Sequence, residues 1–70
     1  MRRLVIIGAG GHGRVVADIA ERLGRYDEIC FLDDAAMPGL CDTLSMPLLG
    51  SSDLALSFPE AEFFVAVGDL

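Results

Sequence analysis

The sequence predicts a small α/β domain, a Rossmann-like parallel sheet with the element order β-α-β-(β)-α-β. Three observations predict it: an apolar run at residues 4–7 leads into the glycine-rich segment GAGGHG, an amphipathic pattern follows, and two later apolar runs read ICFL and FFVAV. Near-continuous apolar runs are typical of parallel strands buried on both faces. A glycine turn between the first strand and the first helix is typical of domains that bind nucleotides.

The first strand is expected over residues 3–8, at the centre of the sheet, because its apolar run is uninterrupted. The helix is expected over residues 12–23, where apolar residues recur at helical spacing and charged residues fill the opposite side. Gly24 is the expected stop, since glycine readily ends helices. The side predicted to pack on the sheet comprises Val15, Val16, Ile19, Ala20 and Leu23.

The second strand is expected over Glu28–Leu32, ending at an acidic pair, and residues 35–45 are expected to form a loop. A short extended segment over residues 46–49 and a short helix to Ser57 follow. Ser51, Ser52 or Asp53 is expected to cap that helix through a side-chain oxygen. The third buried parallel strand is expected over residues 63–67.

Composition narrows the possible functions. The 70 residues allow one domain, and the net charge is −6, with nine acidic and no basic residues after position 25. Nucleic-acid binding depends on Lys and Arg, so it is disfavoured. No apolar run reaches the length of a membrane span or a signal peptide, so we expect a cytoplasmic protein. Cys30, in a strand, and Cys41, in a loop, lack the spacing of metal ligands.

The glycine-rich segment carries the strongest functional signal. Gly8, Gly10 and Gly13 fit the pattern G-x-G-x-x-G, in which glycines permit a tight turn, close approach of a pyrophosphate and helix–strand packing. Backbone amides at residues 10–13 would form an anion site at the helix start. His12 could donate a hydrogen bond to a phosphate or a sugar hydroxyl. It has no Ser, Cys or carboxylate neighbour in sequence for a catalytic relay, so we interpret it as a binding residue.

Three further residues are expected at the same edge of the sheet. Asp33 and Asp34 end the second strand, where α/β sheets bind their ligands, and could accept hydrogen bonds from a ribose or a base. Gly68 follows the third strand and would let a ligand lie against the backbone. These residues complete the predicted binding site.

The segments LVIIGAGGHGRVVADIAE, ICFLDD and FFVAVGD together resemble the amino-terminal domain of bacterial sugar acyltransferases. The enzymes in question are of the sialic acid O-acetyltransferase and UDP-4-amino-sugar N-acetyltransferase type, and the resemblance covers all 70 residues. It implies that Gly10, Gly11 and His12 contact a UDP-sugar around its phosphates and sugar. It also implies that Asp33 and Asp34 lie at the nucleoside end and that Gly68 borders the pocket.

The resemblance further implies a larger enzyme. In that family a left-handed β-helix of hexapeptide repeats follows, forms a homotrimer, binds acetyl-CoA as co-substrate and supplies the catalytic histidine. We therefore expect this chain to be the substrate-binding part of an N- or O-acetyltransferase, with no catalytic residue of its own.

Two other interpretations remain at this point. GAGGHG and Asp33 also fit the fingerprint of an NAD(P)-binding module of an oxidoreductase. A non-catalytic ligand-sensing or assembly domain would need only the fold.

Overall fold

The computed structural model describes residues 2–34 and 46–66. Its elements are the strands β1 (Arg3–Ile7), β2 (Glu28–Leu32), β3 (Leu48–Gly50) and β4 (Glu62–Val65), the helix α1 (Gly11–Leu23) and a 3₁₀ helix (Ser52–Ser57). The predicted α/β class and element order are confirmed. The expected loop over residues 35–45, with Cys41, lies outside the described residues, as does Gly68.

The four strands form one parallel sheet in the order β3-β2-β1-β4. The predicted central position of β1 is confirmed, since it pairs with β2 and β4. Ile7, the last residue of β1, lies opposite Leu32 of β2 and Val65 of β4. The carboxyl ends of these three strands therefore lie along one edge of the sheet.

Alternate side chains of the strands build two apolar layers, as the two-residue period of a strand requires. On one face, Leu4, Ile6 and Phe31 pack with Ala17 and Ala20 of α1. On the other face, the buried side chains of Val5, Cys30 and Leu32 pack against Ala55, Phe58 and Ala61, which come from the 3₁₀ helix and the turn after it. The sheet is thus covered on both sides near β1 and β2.

The prediction of which helix residues pack on the sheet was only partly right. The buried residues of α1 are the small ones, Gly13, Ala17 and Ala20. Val15, Ile19 and Leu23 are 56%, 53% and 58% exposed. Small residues let the helix backbone come close to the strands, so the bulkier apolar side chains lie along its flank. Gly24 ends the helix in the left-handed conformation, as predicted (φ 66°).

The prediction that the last strand, over residues 63–67, is buried was wrong for Phe63, Phe64 and Val65 and right for Ala66, which is 8% exposed. All four residues of β4 are exposed, with Phe63 and Phe64 each at 42% and Val65 at 62%. Within the described sheet, β4 is an edge strand that pairs only with β1. Among the described helices, none is long and apolar enough to cross a bilayer.

Candidate functional site

The glycine loop connects β1 to α1, and two of its glycines are required by the fold itself. Gly8 has a φ of 115°, which side chains other than glycine rarely allow. A Cβ on Gly13 would lie 1.9 Å from the carbonyl oxygen of Gly8. These two positions therefore make the turn and let α1 pack tightly on the end of β1, as the motif predicts.

Gly10 and Gly11 are different, because nothing inside the described protein requires a glycine there. Both are exposed, and a Cβ on either would meet no atom within 4 Å. Gly10 has a φ of −76°, which any residue can adopt. Glycine at these positions keeps the space above the backbone free, as a ligand that approaches the backbone closely would require.

The start of α1 presents backbone amides toward that open space. The first hydrogen bond of the helix runs from the amide of Arg14 to the carbonyl of Gly10, at 3.0 Å. The amides of Gly11, His12 and Gly13 precede it and are the donors that a helix cannot satisfy internally. No side chain caps this end of α1 in the described part of the chain. Amides in this state, with the positive end of the helix dipole, suit an anion.

His12 is the second residue of α1, which begins one residue earlier than predicted. Its side chain is exposed, and its ring lies 6.2 Å from that of Phe64, centroid to centroid, with 50° between the planes. This tilted arrangement is a favourable one for aromatic rings. The contact joins the start of α1 to β4.

Asp33 lies next to the glycine loop. One carboxylate oxygen, Oδ2, accepts a hydrogen bond of 2.7 Å from the backbone amide of Ala9. The backbone amide of Asp33 donates to the carbonyl of Gly50 at the end of β3, at 2.8 Å. The structure thus brings the predicted acidic residue and the predicted phosphate loop into direct contact.

Asp34 is held on the other side of the same edge by Ser52. The Ser52 amide donates to Asp34 Oδ1 at 2.8 Å, and its hydroxyl lies 2.9 Å and 3.0 Å from the two carboxylate oxygens. The predicted cap by a side chain of residues 51–53 was wrong, because the oxygen that receives the first amide of the 3₁₀ helix belongs to Asp34. Ser52 is thus a site residue whose connection to Asp34 the sequence analysis missed.

Shifted pKa values are found at an ion-paired cluster and at a buried thiol. At the amino ends of the strands, the pKa of Glu62 is lowered by hydrogen bonds from Arg2 and Tyr26, and the same carboxylate raises the pKa of both partners. Burial raises the pKa of the Cys30 thiol, and the nearby Glu28 adds to the shift. These shifts follow from hydrogen bonding, ion pairing and packing.

Two hollows in the described surface lie away from the loop. One of about 260 Å³ lies at the opposite edge, between Tyr26, Ile29 and Met46. Another of about 340 Å³ is an apolar groove between α1 and Phe64. The described residues contain no group of His, Cys, Asp and Glu that could hold a metal ion.

A parallel sheet with a glycine turn after its central strand and acidic residues beside that turn defines a small Rossmann-like domain. The family model described as the PglD N-terminal domain matches residues 3–70. The chain belongs to this family, which confirms the resemblance seen in the sequence.

Two solved structures of one relative agree with this assignment. The chain is similar to the acetyltransferase domain of PglB from Neisseria gonorrhoeae FA1090, with 43% identity and a TM-score of 0.80 over 96% of this chain. The same domain in complex with acetyl coenzyme A matches 94% of this chain, at the same identity and TM-score. The chain spans about a third of those chains, 33% and 32% respectively. No match was found among curated proteins.

Proposed function

We propose that this chain is the domain that binds the nucleotide-sugar, a UDP-sugar, in an acetyl-CoA-dependent sugar N- or O-acetyltransferase of bacterial glycan biosynthesis. The observation that carries the proposal is the backbone at Gly10 and Gly11, where no contact with the described residues requires a glycine. The family assignment and the likeness to an acetyltransferase domain support it.

In this proposal the amides at the start of α1 hold the diphosphate. Gly10, Gly11 and His12 contact the phosphates and the sugar, and the exposed imidazole donates to an oxygen of either. Asp33 and Asp34, at the carboxyl end of β2, lie at the nucleoside end. Gly68, outside the described residues, borders the pocket.

The proposed reaction is attack of a sugar amine or hydroxyl on the thioester carbonyl of acetyl-CoA, while a general base removes the proton. We assign the base, the acetyl-CoA site and trimer formation to a β-helix of hexapeptide repeats elsewhere in the polypeptide. The relative solved with acetyl coenzyme A supports acetyl-CoA as the donor. This domain would position the acceptor, and the enzyme would work in the cytoplasm.

Ligand-dependent melting tests the proposal. A ligand that binds only the folded state stabilises it by about 2.7 kcal/mol at a hundredfold excess over Kd. We expect UDP and UDP-N-acetylglucosamine to raise the melting temperature and NAD to leave it unchanged. Stabilisation by NAD alone would favour the oxidoreductase module. Stabilisation by none of the three would favour a sensing or assembly domain.

A pair of variants locates the binding site. Gly11→Ala adds a methyl group that touches nothing in the described protein but enters the space above the loop. We expect it to fold normally and to lose most of the stabilisation by UDP. Glu60→Ala, at an exposed turn before β4, is the matched control and should respond to UDP as the unaltered protein does. Equal responses of both variants would place the ligand elsewhere.

A further inference from the structure

We propose that Asp33 is a positioning residue for the phosphate-binding loop: its carboxylate fixes the loop through the amide of Ala9, so binding of the phosphate groups themselves depends on it. This inference rests on the proposed function. Asp33 would thus have two roles: it contacts the nucleoside, as proposed above, and it positions the loop that binds the phosphate groups.

The hydrogen bonding between β1 and β2 continues into the glycine loop. The amide of Gly8 donates to the carbonyl of Leu32 at 2.7 Å, so the parallel ladder continues one residue past β1. The amide of the next residue, Ala9, donates to the side chain of Asp33 instead of to a backbone carbonyl. A side chain thus extends the ladder into the glycine loop.

Asp33 is well placed to hold the loop rigidly. Its backbone amide is bonded to Gly50 of β3, and it follows directly on the buried Leu32. Ala9 is itself 2% exposed. The bond therefore joins two parts of the backbone that packing already restrains, and the open amides begin two residues further on, at Gly11. A carboxylate that accepts from a backbone amide forms one of the stronger hydrogen bonds in proteins.

The bond also determines which amides face an anion. The Ala9 amide points to Asp33, which leaves the amides at the helix start as donors for the ligand. Without this bond, the direction of the Ala9 amide is no longer fixed, and a loop that is less well preorganised binds its ligand more weakly. A negative charge near a phosphate is unfavourable in itself, so the hydrogen bond to Ala9 and the proposed nucleoside contact, and not attraction to the phosphates, account for a carboxylate at this position.

Calorimetric titration with pyrophosphate and with UDP separates the two roles of Asp33, because pyrophosphate has no nucleoside to contact. In Asp33→Ala we expect affinity for pyrophosphate to fall by about tenfold or more, with at least as large a loss for UDP. In Asp33→Asn the side chain keeps an oxygen that can accept from Ala9 and loses its charge. We expect this variant to bind pyrophosphate at least as tightly as the unaltered protein. Glu60→Ala removes a carboxylate at a distant turn and is the charge control.

The outcomes are distinguishable. If Asp33→Ala binds pyrophosphate normally and loses only UDP, the residue contacts the nucleoside alone and the inference is overturned. Loss of pyrophosphate binding in Asp33→Asn would also overturn the inference. It would show that an oxygen that accepts the hydrogen bond from Ala9 is not enough to keep the loop able to bind phosphate. If the unaltered protein binds UDP but not pyrophosphate, the loop does not bind phosphate groups by itself, and the inference is again contradicted.

If the unaltered protein binds neither ligand, the proposed function itself fails. Melting curves of each variant without ligand show whether the variant is folded. If Asp33→Ala is not folded, the test rests on Asp33→Asn.

Discussion

The close approach of α1 to β1 at Gly13 makes a specific prediction about stability. A Cβ at this position would lie 1.9 Å from the carbonyl oxygen of Gly8 and 3.0 Å from its carbon. Because the oxygen belongs to the backbone and Gly8 has a positive φ, no side-chain rotation can relieve the clash. In Gly13→Ala the start of α1 must move away from β1 by about 1 Å, which loosens the packing of Ala17 and Ala20.

Overpacking of this kind costs about 1–3 kcal/mol, and more where the backbone must shift. For a domain of this size each kcal/mol corresponds to about 4–8 °C in melting temperature. We therefore expect Gly13→Ala to melt at least about 8 °C below the unaltered protein, a loss of roughly 2 kcal/mol.

Thermal unfolding followed by circular dichroism measures this loss, with Gly11→Ala as the matched control. The control adds the same methyl group two residues away, where it meets nothing within 4 Å. It should melt at or slightly above the unaltered protein, since alanine favours helix more than glycine does. Equal melting temperatures for the two variants would refute the claim that the fold requires Gly13 and leaves Gly11 to the ligand.

Three further predictions concern other parts of the molecule. Asp34→Ala should lower stability by about 1 kcal/mol because the first amide of the 3₁₀ helix loses its acceptor. Ser52→Ala keeps that amide and should lower stability less. Chemical denaturation gives the free energy of unfolding of both variants, and a larger loss in Ser52→Ala than in Asp34→Ala would contradict the capping role of Asp34. Iodoacetamide should modify Cys30 only after denaturation, since the thiol is fully buried and its pKa is raised. Peptide mass spectrometry measures the labelling, and modification of Cys30 in the folded protein would contradict its burial. The pKa of Glu62 is lowered by Arg2, so its contribution to stability is present above its unfolded pKa and is lost as pH falls through the folded value. Melting temperatures below pH 5 should therefore fall more steeply for the unaltered protein than for Glu62→Gln, and parallel curves would argue against the ion pair.

The sequence predicted β1 and β2 well because their signal is local. Both are short apolar runs bounded by glycine or acidic residues, and the bounds of β2 agree with the structure. The position of β1 at the centre of the sheet also followed from its uninterrupted apolar run. Two of the motif glycines behave as the pattern requires, since the constraints on Gly8 and Gly13 arise within one strand–turn–helix unit.

The remaining features depend on how elements pack, which local patterns do not specify. Helical periodicity indicated an apolar side of α1 but not that the small residues Ala17 and Ala20 would lie against the sheet while Ile19 stays exposed. For β4, apolar character predicted burial, whereas exposure depends on which elements lie beside it.

The two carboxylates illustrate the same limit at the site. Their position after β2 was predictable from the sequence, but their hydrogen-bond partners were not. Ala9 is 24 residues from Asp33, and Ser52 is 18 residues from Asp34. Both contacts depend on the register of neighbouring strands, for which no sequence signal was available.

A crystal structure of the protein with a bound UDP-sugar tests the central claim most directly. We predict that diphosphate oxygens lie within hydrogen-bonding distance, about 2.7–3.2 Å, of the backbone amides of Gly11 and His12. A diphosphate bound elsewhere, with these amides in contact with water alone, would contradict the account.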